Sequence, residues 1–180
     1  MLRIVSGKYK NLKIEQPDKK ITRASSEKLR EAIFSSIQFD LENKTFLDCF
    51  GGSGAFGFEA ISRGSSEILI LEKNSHAFNI IKQNKQKFQS EKINVLNVDT
   101  IKFLEKKSNK IWNFVFIDPP YTKKEYYDLC TQNLLNNSFI NENSIIILES
   151  NFEIKNLDKF ELIKQKKYGI SFVSYWKITS

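Results

Sequence analysis

Residues 118–121 read Asp-Pro-Pro-Tyr and stand where the apolar run Phe114-Val115-Phe116-Ile117 ends. Consecutive prolines carry no backbone N–H and fix φ, so they stop the run and hold an extended loop at its carboxyl end. The loop displays a carboxylate, a fixed row of carbonyls and an aromatic ring together. That set suits the exocyclic amine of a nucleobase. Its nitrogen lone pair is delocalised into the ring, acceptors on both N–H bonds return density to nitrogen, and an aromatic side chain stacks on the base. Asp118 and the Pro119 carbonyl are the candidate acceptors, with Tyr121 as the stacking surface. Taken alone, the tetrapeptide also reads as an ordinary turn after a strand.

Upstream residues argue against so plain a reading. The short apolar run at 45–50 leads into Gly51-Gly52-Ser53-Gly54-Ala55-Phe56-Gly57, and Glu59-Ala60-Ile61 then begins a helix-compatible pattern. Strand, glycine turn and helix give meaning to the Gly-x-Gly-x-x-Gly spacing at Gly52, Gly54 and Gly57: a tight turn, backbone close to a ligand, and close helix packing. The next run, 67–71, ends in Glu72 about twenty residues past the glycines, where an acid can accept both hydroxyls of a ribose. A third run, 93–98, ends in Asp99, an acceptor for an adenine amine. Each acid alone reads as a solvated loop residue. In order at successive strand ends they form a set, because ligands of open α/β sheets bind outside the carboxyl ends of the strands.

The ordered set resembles the class I S-adenosylmethionine-dependent methyltransferases, and Asp-Pro-Pro-Tyr resembles their amino-group-modifying branch. Four further blocks narrow the likeness: Arg3-Ile4-Val5-Ser6-Gly7-Lys8-Tyr9, the stretch from Thr22-Arg23 to Ile33-Phe34, Leu47-Asp48-Cys49-Phe50-Gly51-Gly52-Ser53-Gly54, and Glu59-Ala60-Ile61-Ser62-Arg63-Gly64. Together they look like the RsmD family of 16S rRNA (guanine-N2)-methyltransferases, over nearly the whole chain. The resemblance implies S-adenosylmethionine as cofactor, held by Asp48, Phe50, Gly51, Gly52, Ser53, Gly54, Gly57, Glu72, Lys73, Asp99 and Asp118. It implies catalysis at Asp118, Pro119 and Tyr121. The implied partner is 16S rRNA or the assembling small ribosomal subunit. The sequence departs from the family pattern at Gly51, where alanine is expected, and at Ala24-Ser25, where Pro-Thr is expected. Neither change removes a side chain that the chemistry needs.

The expected fold is α/β and Rossmann-like: a mostly parallel seven-stranded sheet with helices on both faces and an antiparallel C-terminal hairpin. A small N-terminal hairpin extension, residues 1–24, would precede it and contact RNA. A 180-residue chain suits one domain, which at this size buries about 70% of the surface its unfolded chain exposes. No separate recognition domain would fit beside such a sheet.

The net charge of +7 favours a polyanionic partner, although it also serves solubility. Cys49 and Cys130 read as small buried hydrophobes of a reducing, cytoplasmic compartment rather than a disulfide. A single histidine, His76, makes no metal cluster. Neither a signal peptide nor a membrane span is expected, since the aliphatic run 145–148 is far too short. The protein is expected to act as a monomer.

Along the chain, residues 3–5 and 12–14 read as a hairpin, and Ser25 or Ser26 caps a helix reaching about Leu41, with Leu29, Ile33, Ile37 and Leu41 on its buried face. Helical patterns near 55–63, 75–88, 100–106 and 123–135 alternate with strand runs, a rhythm that predicts right-handed parallel crossovers. Two strand-like runs, 160–166 and 171–178, flank Gly169.

Lysine outnumbers arginine 24 to 4, so each arginine marks a position where the planar guanidinium fork is required. Arg3, Arg23 and Arg30 are assigned to the RNA backbone or a cofactor carboxylate, and Arg63, at a helix end, to backbone carbonyls or a carboxylate. With Lys8, Lys123 and Lys124 they make up the candidate RNA contacts.

Other function classes fit less of the chain. A nicotinamide dehydrogenase would share the glycine turn and Glu72 but has no use for Asp-Pro-Pro-Tyr. A non-catalytic RNA-binding module needs no acids at strand ends. A DNA adenine-N6 or cytosine-N4 methyltransferase remains open, because Asp-Pro-Pro-Tyr does not distinguish among exocyclic amines; such enzymes usually carry an added target-recognition region.

Overall fold

The computed structural model describes residues 1–18 and 27–179. Two short strands, β1 (Leu2–Arg3) and β2 (Lys13–Ile14), pair antiparallel ahead of helix α1 (Glu27–Ser36). From there strands and helices alternate as the apolar runs predict: β3 (Thr45–Asp48), α2 (Ala55–Ser62), β4 (Glu67–Glu72), α3 (Ser75–Lys85), β5 (Ile93–Asn97), α4 (Thr100–Leu104), β6 (Phe114–Ile117), α5 (Glu125–Asn136) and β7 (Ile145–Ser150). The chain then forms the hairpin β8 (Phe160–Tyr168) and β9 (Ser171–Ile178). Ser25 and Ser26, the expected caps of α1, lie outside the described residues.

The sheet has seven strands in the order β5-β4-β3-β6-β7-β9-β8, with β3 to β7 parallel and β9 antiparallel to both its neighbours. This is the class I methyltransferase architecture. Successive strands move outward from β3 to β5, and the chain then returns to place β6 on the other side of β3. The topological switch point therefore lies between β3 and β6, where open α/β sheets form their ligand crevice.

Side chains alternate across the strands, which splits the core into two layers. Ile68 and Ile70 of β4 pack with α1, α2 and α3 on one face, whereas Leu69 and Leu71 pack with α4 and α5 on the other. Cys49 and Cys130 are both free and fully buried in the second layer, and burial pushes both thiols up.

α1 is shorter than its periodicity predicts, ending at Ser36 rather than near Leu41. The Ser36 hydroxyl donates to the Ile33 carbonyl (2.7 Å) and lies 2.7 Å from the Tyr175 hydroxyl, so the helix closes on a strand of the sheet. Ile37 and Leu41 remain buried after the helix has ended. The apolar period thus runs on through the turns that follow.

Among the described residues no helix is long and apolar enough to cross a membrane.

Candidate functional site

The crevice at the switch point opens into a cleft of about 560 Å³ lined by the ends of β3, β4, β5 and β6. The glycine turn after β3 forms its floor. Gly54 sits at φ +78° ahead of α2, a left-handed conformation that L side chains rarely adopt. A Cβ on Gly57 would stand 2.6 Å from Cγ1 of Ile70, so α2 lies too close to β4 for any side chain there. Gly54 thus supplies the tight turn and Gly57 the close helix packing that the sequence spacing predicts.

Glu72, at the end of β4, is held by backbone amides. Oε2 accepts from Gly52 N–H and Oε1 from Asn74 N–H, each at 2.7 Å. Burial raises its pKa, and these amides oppose the rise. Asn97 fixes the same corner by donating its amide to the Glu72 and Lys73 carbonyls at 2.8 and 3.0 Å.

Asp99 does two local jobs. Oδ1 accepts from Lys102 N–H at 3.2 Å and so caps α4, while Oδ2 pairs with Lys73 Nζ at 2.8 Å. Lys73 holds the Asp99 pKa below the ordinary carboxylate range. An ionised acceptor thus faces the cleft beside Glu72.

On the opposite wall stand Asp118, Pro119 and Tyr121, together with Pro120 and Thr122. The prolines end β6, and Lys123 N–H closes the loop on the Pro120 carbonyl at 2.8 Å. Tyr121 Oη lies 3.4 Å from Ser171 Oγ, which donates to the fully buried Glu149 carboxylate at 3.1 Å. The loop therefore rests on β7 and β9. The rings of Phe50 and Tyr126 stack with centroids 6.1 Å apart at one side of the cleft.

The remaining predicted residues scatter. Phe50, Gly52, Lys73 and Lys123 line the cleft, while Gly51 and Ser53 border a small adjoining cavity of about 30 Å³ that Asp118 also reaches. Asp48 lies beneath the glycine turn, 1% exposed, with both oxygens lacking a partner in good hydrogen-bond geometry. Burial pushes its carboxyl up to about 7, tempered by the Phe50 and Gly57 amides. Lys124 is exposed, its Nζ 4.8 Å from the Phe152 ring centre. Arg23 lies outside the described residues.

One arginine assignment needs correcting in its RNA half. Arg30, assigned to RNA or cofactor carboxylate, has no solvent exposure. Its Nη2 donates to the Arg3 carbonyl at 2.6 Å, and Nε lies 3.4 Å from Oε2 of the fully buried Glu59. A guanidinium enclosed this way offers no surface to an RNA backbone, but it borders the small cavity that Gly51, Gly52 and Asp118 share, so the cofactor half of the assignment stands as an expectation. Lys8 is exposed outside the cleft, its backbone N–H donating to the Ser62 carbonyl at the C-terminal end of α2, and it stays a candidate RNA contact. Arg3 is largely exposed and paired with Glu27 at 2.7 Å. Arg63 takes the structural place expected of it, 2.8 Å from Glu59. Glu59 also accepts from Val5 and Ser6 N–H at 2.8 and 3.0 Å, which ties the N-terminal segment to α2.

Sequence reasoning did not single out Leu71, Thr100, Thr122 and Tyr126, all of which line the cleft. Each adjoins a predicted strand-end residue or follows Asp-Pro-Pro-Tyr closely, so the flanks of the motifs carried the signal. Ser171 and Glu149 had no such signal.

Comparison with known proteins agrees with this geometry. The family described as Conserved hypothetical protein 95 matches residues 2–177. Ribosomal RNA small subunit methyltransferase D of Buchnera aphidicola subsp. Acyrthosiphon pisum is 34% identical over 151 residues, 81% of this chain and 76% of that protein. The protein of the same name from Buchnera aphidicola subsp. Baizongia pistaciae is 32% identical over 171 residues, 92% of this chain and 86% of its own. The solved structure of yhhF from Escherichia coli superposes with a TM-score of 0.88 at 25% identity, covering 99% of this chain and 98% of that one.

Proposed function

The chain belongs to the Conserved hypothetical protein 95 family, the RsmD family that its motifs resemble, and from that premise we propose that it methylates the exocyclic N2 amine of a guanine in 16S rRNA. The cofactor is S-adenosylmethionine, and the residues present fit it. The cleft has the volume of a small-molecule site, its glycine turn takes left-handed φ at Gly52 and Gly54, and an amide-held carboxylate and an ionised one stand side by side at its rim. Glu72 would hold the ribose hydroxyls and Asp99 the adenine amine.

When bound, the cofactor supplies an electrophilic methyl group on a sulfonium. The observation that carries the reading is that Asp118, Pro119 and Tyr121 share one cleft with Glu72 and Asp99, so an amine held by the loop faces the cofactor wall. The Asp118 carboxylate and Pro119 carbonyl accept the two N–H bonds of the amine and turn its lone pair into the cleft. Tyr121 stacks on the base. As positive charge develops on the nitrogen, Asp118 stabilises it, and the proton that becomes acidic after transfer leaves through that carboxylate to water. A strong base is not needed.

The substrate is the 16S rRNA or an assembling small subunit in the cytoplasm, met by a monomer whose charge of +7 favours the polyanion. The test is tritium transfer from labelled S-adenosylmethionine to small-subunit particles, naked rRNA and DNA in parallel, followed by nucleoside identification. N2-methylguanosine in an RNA arm is the expected product. Label confined to DNA would replace this reading with an adenine-N6 or cytosine-N4 methyltransferase.

A further inference from the structure

The topology brings one more surface to the mouth of the cleft. Because β9 runs antiparallel to β7, β9 begins and β8 ends at the edge where the parallel strands end. The turn between them, Gly169-Ile170, accordingly sits beside the catalytic loop, with Ser171 Oγ 3.4 Å from Tyr121 Oη. Lys166 and Lys167 are exposed just before this turn, and Ile170 is 73% exposed within it. Neither lysine has an acidic partner among the described residues. Their cross-strand partners are Val173 and Phe172, so the two ammonium groups leave opposite faces of the hairpin. Lys123 and Lys124 are exposed just after the catalytic loop, Lys123 3.8 Å from Glu125 and Lys124 4.8 Å from the Phe152 ring centre.

Exposed lysines thus stand just before the hairpin tip and just after the catalytic loop, and an exposed isoleucine stands at the tip itself. Lysines on an edge strand also discourage edge-to-edge pairing, and β8 is an edge. That role does not require them to gather at the end nearest Tyr121 or to flank an exposed isoleucine. A strand that gives up a base to a pocket presents phosphates on either side of the vacated position and an unstacked neighbouring base.

We propose that the tip of the β8–β9 hairpin binds the RNA strand flanking the target base, Lys166 and Lys167 meeting phosphates and Ile170 packing against the exposed face of the neighbouring nucleotide. The proposal rests on the rRNA reading above and adds the surface that recognises the strand.

The experiment compares Lys166→Glu/Lys167→Glu and Ile170→Ser with a control reversal, Lys44→Glu/Lys92→Glu, which makes the same charge change at exposed residues where β3 and β5 begin. Affinity for naked 16S rRNA is measured across salt concentrations, with S-adenosylmethionine affinity and thermal melting alongside. The hairpin reversal should weaken RNA binding at least tenfold more than the control. It should also flatten the slope of log affinity against log salt by about 1.4, the value for two single-strand phosphate contacts. Cofactor affinity and melting temperature should match the parent. Ile170→Ser should leave the salt slope intact and lower single-turnover methylation several-fold. Lys166→Gln/Lys167→Gln removes the same two contacts without introducing repulsion, so it should show the full flattening of about 1.4 with a smaller loss of affinity.

If the parent methylates rRNA but the hairpin reversal behaves like the control, the hairpin proposal falls and the functional reading stands. A loss of cofactor affinity equal to the loss of RNA affinity also overturns it, because the effect is then structural. If the parent methylates no RNA, the functional reading falls and the proposal falls with it.

Discussion

Gly52 and Glu72 share a 2.7 Å hydrogen bond that ties the turn after β3 to the end of β4. The carboxylate expected to hold the ribose also shapes the floor on which the cofactor would rest. Glu72→Ala should weaken S-adenosylmethionine binding by tenfold or more, since charge-assisted bonds of this kind contribute about 1.5–3 kcal/mol each. Glu72→Gln keeps one acceptor oxygen and should fall between the two. Calorimetric titration measures both, and an unchanged dissociation constant for Glu72→Ala would remove the residue from the site.

Asp118 and Tyr121 should separate catalysis from cofactor binding. Asp118→Asn keeps an acceptor oxygen and loses the charge, so it should turn over slowly; Asp118→Ala should be slower still. Tyr121→Phe should be mild and Tyr121→Ala severe, because stacking needs the ring and is worth about 1–3 kcal/mol per base. All four should bind S-adenosylmethionine nearly as the parent does. Single-turnover rates on saturating rRNA decide the matter: full activity in Asp118→Ala would sink the assignment.

Asp48 should make stability depend on pH. Its carboxyl is raised from 3.8 to about 7 in the folded protein, so between those values the folded state holds a proton that the unfolded chain has released. Stability therefore falls as pH rises through that window and levels off above it. Asp48→Asn should remove this component. Urea unfolding at pH 5 and pH 8 should show the parent losing roughly 2 kcal/mol more than the variant, because each tenfold change in proton affinity between the folded and unfolded states is worth about 1.36 kcal/mol. Equal losses would mean that Asp48 stays ionised throughout.

Glu59 compensates two buried or nearly buried guanidiniums, Arg30 and Arg63, and caps the Val5 and Ser6 amides. Glu59→Ala should cost about 3–5 kcal/mol, because it leaves buried charge without a counterion. Arg30→Met should cost less, since it removes charge while keeping bulk and leaves Glu59 with Arg63. Denaturant midpoints rank the two, and the reverse order would refute this view of the cluster.

The strand–helix rhythm was legible because apolar runs alternate with helix-period stretches, and the cleft was legible because each strand end is followed at once by its glycine, acid or proline. Arg30 shows where such reading stops. The need for a planar fork is real, but a buried carboxylate satisfies that need as well as a phosphate does, and only the packing of α1 against α2 decides between them. The docking of the N-terminal hairpin on α2, by bonds from Ser6 and Tyr9 to Glu59 and Ser62, is likewise announced by no local pattern. Glu149 and Ser171 meet only because β9 inserts beside β7. The early end of α1 was hidden because Ile37 and Leu41 keep the helical period after the helix has stopped.

The insertion of β9 between β7 and β8 also sets an order of events during synthesis. β3, β4 and β5 are contiguous in the chain, and the glycine turn, Glu72 and Asp99 can come together as soon as they emerge. Tyr121 emerges well before Ser171, so the catalytic loop waits for a strand translated long after it. Support for the Tyr121 loop thus comes from a contact fifty residues away in the chain, whereas the bond between the glycine turn and Glu72 spans only twenty.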